Sequence, residues 1–202
     1  KYESVKGDPL QTRIYTLENG LKVYLSVNKD KPRVQTFIGV RVVGKNDPAE
    51  TTGLAHYFEH LMFKGTQNFG TSDYEAEKPL LDKIESLFET YRKTTDEDQR
   101  KAIYAEIDSV SQEAAKISIP NEYDKLMSSI GAQGTNAFTS YDVTAYTEDI
   151  PANEIENWAM IQSDRFTNPV IRGFHTELET VYEEYNMSLT RDGRKVYEAV
   201  MQ

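Results

Sequence analysis

Gly53-Leu54-Ala55-His56-Tyr57-Phe58-Glu59-His60-Leu61-Met62-Phe63-Lys64-Gly65-Thr66 holds two of the three histidines in the chain, four residues apart. On an α-helix residues i and i+4 share a face, so both imidazoles can point at one metal ion. Leu54, Ala55, Phe58, Leu61 and Met62 recur at helical spacing. They predict a mostly buried helix that starts near Thr51 or Thr52 and ends before Gly65. Glu59, three residues after His56, falls on the same side, close to the ion but poorly placed to bind it. That is the place for a general base acting on water. The order H-x-x-E-H inverts the commoner H-E-x-x-H zinc signature. The plainer alternative is a pair of surface histidines on an amphipathic helix. A buried setting argues against it, because an unpaired histidine pair beside a carboxylate is costly there.

Upstream, residues 13–18 and 21–27 alternate as two strands of a hairpin, with Asn19-Gly20 suited to a two-residue type I′ turn. After Lys31-Pro32, the alternation of Val34, Thr36, Ile38, Val40 and Val42 predicts a third strand. Downstream, two stretches keep a 3.6-residue period. One runs through Leu80, Leu81, Ile84, Leu87, Phe88 and Tyr91, the other through Ile103, Ile107, Val110, Ala114 and Ile117. Thr95 with Asp98 resembles a capping box between them. An antiparallel helical hairpin inserted at about 75–127 is expected, with a docking arm for a partner as the alternative. Gly134 to Thr139 and Asp142 to Thr147 are rich in Thr, Phe, Val and Tyr and predict two more strands. Helices fit Asn153 to Phe166 and Thr176 to about Leu189. The expected class is α+β, a mainly antiparallel sheet packed against helices.

A catalytic zinc site needs a third protein ligand and an open position. Glu177 and Glu184, seven residues or two turns apart, share a face, whereas Glu183 is rotated by about 100° from Glu184. Either of the two could bind the ion while the other orients a histidine. His175 is a rival ligand, but beside Gly173 at a helix start it reads as an exposed histidine.

The bulk numbers narrow the rest. With 23 basic and 33 acidic residues the formal net charge is −10, which argues against a nucleic-acid partner. Zero cysteines exclude disulfides, thiolate nucleophiles and Cys-based zinc sites. The compartment stays open between the cytoplasm and a bacterial periplasm or cell envelope, the latter favoured. No segment reaches the roughly 20 apolar residues of a membrane span. The sequence opens on Lys1, and the helical pattern of Val196, Val200 and Met201 meets no Gly or Pro stop. A domain truncated at its C-terminus is therefore expected over 1–202.

The stretch Gly53 to Thr66 resembles the signature of the pitrilysin/insulinase family of zinc metallopeptidases. Asn19-Gly20-Leu21-Lys22-Val23 is similar to that family's first hairpin. Asn136-Ala137-Phe138-Thr139-Ser140, followed by Tyr141-Asp142-Val143-Thr144, resembles its substrate-side strand, and Glu177 through Asn186 its distant glutamate helix. The resemblance implies His56, His60 and Glu184 as Zn2+ ligands and Glu59 as the base. It implies Glu177 as a carboxylate supporting the metal site, and Asn136 and Ala137 as holders of the substrate backbone. It also implies endopeptidase action on extended or unfolded peptides, with a homologous second half or partner subunit closing the chamber. The gap from His60 to Glu184 is longer than usual for the family, and the helical hairpin accounts for the excess. A non-catalytic scaffold or regulatory subunit is the alternative, although such relatives are expected to lose Glu59 or a histidine. A purely structural zinc site is disfavoured because those usually use cysteine.

Overall fold

The computed structural model of the chain describes residues 1–190 together with 192, 193, 196 and 200. Met201, expected to continue the terminal helical pattern, lies outside the described residues. The class is α+β, as the patterning predicts, with antiparallel strands and α-helices.

Strands β1 (Arg13–Thr16) and β2 (Lys22–Leu25) pair antiparallel, with Thr16 opposite Lys22. Their turn differs from the expected type I′. Leu17 N–H bonds to Leu21 O and Gly20 N–H to Leu17 O, enclosing a three-residue loop of Glu18, Asn19 and Gly20. Gly20 takes a positive φ of 86° and Asn19 does not, as in a type I turn closed by a left-handed glycine. Asn19 acts through its side chain instead, accepting the Leu21 N–H at 3.1 Å.

The second sheet is three-stranded, in the order β3 (Arg33–Val40), β5 (Thr144–Pro151), β4 (Gln133–Thr139). Its central strand β5 is buried along most of its length, while β4 is an edge. Strand β3 stops short of the expected Val42, which is 61% exposed, while Val43 is buried. The chain leaves the ladder there, and Gly44 N–H bonds to Ser140 O.

Up to Leu189 the described residues form six α-helices: α1 (Leu54–Leu61), α2 (Tyr74–Lys93), α3 (Glu97–Ala115), α4 (Glu122–Ser129), α5 (Ile155–Thr167) and α6 (Phe174–Leu189). The periodic apolar residues of α2 and α3 do pack together. Ile84, Ile107, Val110 and Ala114 form their core, with Phe174 reaching in from α6. The cap of α3 is Asp96, not Thr95, because the Asp96 carboxylate accepts the Gln99 N–H at 2.9 Å. Helix α4 has no counterpart among the helices that the sequence pattern predicts. It contributes Tyr123 and Met127 to the other core, with Phe69 and Ile150, against Val34, Phe63, Trp158 and Ile161. Among the described residues no helix is long and apolar enough to cross a membrane.

Two buried arginines fasten the segment that leaves α1. The Arg165 guanidinium lies 4.3–4.4 Å from the ring centres of Phe63, Tyr123 and Tyr146 and donates to Met62 O at 2.9 Å. Tyr123 and Trp158 donate to the buried Glu148 nearby. Arg172 grips Glu77 of α2 through Nε and Nη2 and also donates to Lys64 O and Thr66 O. Gly65 has φ 103°, and a Cβ there would sit 2.4 Å from Phe69 O. The tight approach of this loop to its neighbours requires glycine at that point.

Candidate metal centre

Helix α1 starts at Leu54 rather than Thr51 or Thr52 because its cap comes from outside the threonine run. The Asp47 carboxylate accepts Gly53 N–H at 2.7 Å and Ala55 N–H at 2.9 Å, and Gly53 adopts a left-handed φ of 94°. The helix is less buried than its composition predicts. Ala55, Glu59 and Leu61 are covered, but Phe58 is 47% exposed. Its histidine face is open on one side, with the His56 side chain 40% exposed.

Within that face His56 Nε2 and His60 Nε2 stand 3.2 Å apart. Glu184 of α6 places Oε2 at 3.7 Å from the first and 3.6 Å from the second. Among the described residues these three side chains form the group able to hold a metal ion. Two imidazole lone pairs and a carboxylate oxygen repel one another at such distances unless a cation or proton lies among them. Donors about 2.0–2.1 Å from a tetrahedral zinc ion are separated by about 3.3 Å, so the triangle is the right size. The donor set fits zinc.

Glu177, two turns before Glu184, lies outside the triangle and against the other ring nitrogen of His60. Its Oε1 lies 2.9 Å from His60 Nδ1. A carboxylate can only accept, so Nδ1 carries the hydrogen and the Nε2 lone pair is turned to the centre of the triangle. Lys64 pairs with the other oxygen of Glu177. Burial alone would raise the Glu177 carboxyl, but the Lys64 and His60 contacts prevail and hold it below its usual value. Tyr57 donates to Phe174 O, tying α1 to the start of α6. Burial, with Glu177 adding to it, pushes its hydroxyl up to about 12.

Glu59 is 6% exposed and accepts from Thr139 Oγ1 of β4 at 2.6 Å. Burial pushes the nearby Tyr146 hydroxyl up to about 12, Arg165 opposing the shift and Glu59 adding to it. Asn136 is exposed and Ala137 half-buried on edge strand β4, opposite Thr147 and Tyr146 of β5. His175 takes no part in the triangle. It is half-buried against Phe88 and Phe174 rather than exposed, and burial lowers its pKa. Sequence reasoning missed Lys64 and Thr139. Lys64 was findable, being four residues after His60 at the end of the helix that the sequence predicts. Thr139 shares a strand face with Ala137, but nothing in the sequence says that face meets α1.

Residues 22–81, which include the whole of α1, match the family model for insulinase, peptidase family M16. The chain is 36% identical over 62 residues to the putative zinc protease mug138 of Schizosaccharomyces pombe, covering 31% of this chain and 6% of that protein. It superposes on the first half of the periplasmic protease PqqL from Escherichia coli with a TM-score of 0.63 and 17% identity, covering 98% of this chain and 33% of that one. On pitrilysin the TM-score is 0.59 at 18% identity, covering 95% of this chain and 16% of that one. Over residues 22–81 the chain is similar to the pitrilysin/insulinase family. The two solved structures share its fold, and the chain spans a third or less of the length of each protein it matches here. This similarity brings a protease-type function into view, and the matched residues include the helix that carries both histidines of the triangle.

Proposed function

We propose that this chain is the metal-binding, base-carrying part of a zinc-dependent endopeptidase acting on extended peptides or unfolded polypeptides. The observation that carries this reading is the triangle of His56, His60 and Glu184, with Glu59 beside it on the same helix. The name of the mug138 relative, a putative zinc protease, supports the choice of metal. When bound, zinc supplies Lewis-acid polarisation of the scissile carbonyl and brings the pKa of a water towards about 7.

The chain's own residues do the rest. His56, His60 and Glu184 hold the ion, and Glu177 fixes the tautomer of His60. Glu59 accepts a proton from the attacking water as its oxygen bonds to the carbonyl carbon. It then delivers that proton to the amine nitrogen as the C–N bond breaks. Edge strand β4 offers unpaired backbone groups to an extended peptide, with Asn136 and Ala137 holding its main chain. Recognition through the backbone implies broad side-chain tolerance. Because PqqL is described as having a first half, and this chain covers no more of it than that, we propose that a second half or partner subunit closes the chamber.

The test is zinc stoichiometry and turnover of a quenched fluorescent peptide for the unaltered protein and for Glu59→Gln. The expected outcome is retained zinc with turnover lower by about 10²–10⁴-fold. Unchanged turnover would remove Glu59 from the mechanism. Zinc binding with no turnover in the unaltered, fully assembled protein would favour a scaffold.

A further inference from the structure

Glu59 meets one hydrogen-bond donor among the described residues, and it comes from a different element. Thr139 Oγ1 donates to Glu59 Oε2 at 2.6 Å. Thr139 is the last residue of β4 and sits opposite Thr144 of β5, the two hydroxyls 3.1 Å apart. Thr144, itself buried, donates to Val42 O at 2.9 Å. With the Thr144 hydrogen committed to that carbonyl, the Thr139 hydrogen can go to Glu59 or to a neutral hydroxyl. The carboxylate wins, because a bond to an ionised acceptor is about twice as strong as a neutral one. A threonine side chain is stiff about χ1, so its hydroxyl is a fixed point and not a swinging donor.

We infer that Thr139 is a positioning residue for Glu59: it occupies Oε2, leaves Oε1 as the oxygen that meets water, and ties the aim of the base to the edge strand. This rests on the reading of Glu59 as the base. A carboxylate on a helix has rotatable χ angles and two equivalent oxygens. One short bond from a rigid strand removes both freedoms. β4 is also the strand on which an extended peptide is proposed to add, so substrate and base are registered against one piece of backbone. The backbone of β4 is untouched by a change at the Thr139 side chain, so such a change should act on turnover and leave peptide binding alone.

The test compares Thr139→Val, which keeps shape and deletes the hydroxyl, with Thr139→Ser, which keeps the hydroxyl and deletes the methyl. Glu59→Gln is measured in parallel, together with zinc affinity by chelator competition. Thr139→Val is expected to lower kcat about 10–100-fold, the scale of a misplaced reacting group. KM and zinc affinity should stay within about twofold of the unaltered protein, the spread we allow for a group that sets only geometry. Thr139→Ser should restore most of kcat. Full kcat in Thr139→Val, or an equal loss in the serine variant, overturns the inference. So does a kcat loss accompanied by weakened zinc binding, which would mark a role in folding the site. If Glu59→Gln abolishes turnover while Thr139→Val does not, the role of Thr139 alone falls. If Glu59→Gln is silent, the base assignment falls with it.

Discussion

His60 is the residue on which most of the site's polar contacts converge. Its Nε2 faces His56 and Glu184 while its Nδ1 faces Glu177, which Lys64 holds from the other side. The arrangement sets the tautomer and ring orientation of His60. Replacing such a supporting carboxylate typically weakens metal binding by 10–100-fold. Glu177→Gln keeps an acceptor of similar shape but removes the charge that Lys64 and His60 both face. Its zinc affinity, measured by chelator competition, should fall by about 10–100-fold, with the fold retained. An affinity equal to the unaltered protein's would show that Glu177 does not prepare His60. The histidine pair and Glu59 were legible in the sequence because one helical turn relates them. The pairing of Glu177 with His60 was not, because two carboxylates on one face look alike until the facing helix is placed. Thr139 was invisible for the same reason, since only the sheet's position beside α1 gives it a meaning.

At the scale of elements, periodicity told most of what there was to tell, and the errors fall at the ends. The apolar periods of α2 and α3 meet in one shared core, and the strand alternation from Val34 to Val40 holds. The start of α1 departs from the threonine run because its cap is remote. Asp47 bonds to Gly53 N–H and Ala55 N–H across a loop, so the local threonines that look like caps are not used. Helix α4 was overlooked because its buried residues, Tyr123 and Met127, are too few in eight residues to establish a period. The cap of α1 makes a prediction. Asp47→Ala strands two N–H groups at the end of the helix that carries both histidines. It should cost about 1–2 kcal/mol in urea-induced unfolding, at the upper end of the usual cap range because both bonds go together. Asp47→Asn, which can accept one of them, should recover part of the loss. Identical stability for all three proteins would show that the loop contributes nothing to α1.

At the scale of the whole molecule, the question is how a short helix with one face open to solvent keeps its two histidines still. Two arginines from the C-terminal half of the chain close on the segment that follows α1. Arg165 takes Met62 O from within an aromatic cluster, and Arg172 takes Lys64 O and Thr66 O. Cations at the C-terminal end of a helix are favourably placed with respect to its dipole, and here they also fix where the chain goes next. Arg172 is in turn held by Glu77, which is only 1% exposed and belongs to α2. The helical hairpin is therefore coupled to the proposed metal site through a buried ion pair as well as through Phe174 of α6, and not merely attached to the domain. Breaking such a pair by removing one partner leaves an uncompensated buried charge and typically costs 3–5 kcal/mol. Glu77→Leu should lose about that much in chemical unfolding and should also weaken zinc binding, because Lys64, the partner of Glu177, loses its anchored backbone. The double replacement Glu77→Leu with Arg172→Met separates the two contributions. If the ion pair alone mattered, the double variant would return to near the original stability. Because Arg172 also satisfies two carbonyls on the loop beyond α1, we expect recovery to be partial and zinc affinity to stay low. Full recovery of both would mean that the carbonyl contacts add nothing and that the loss in Glu77→Leu came from the unpaired Arg172 charge alone.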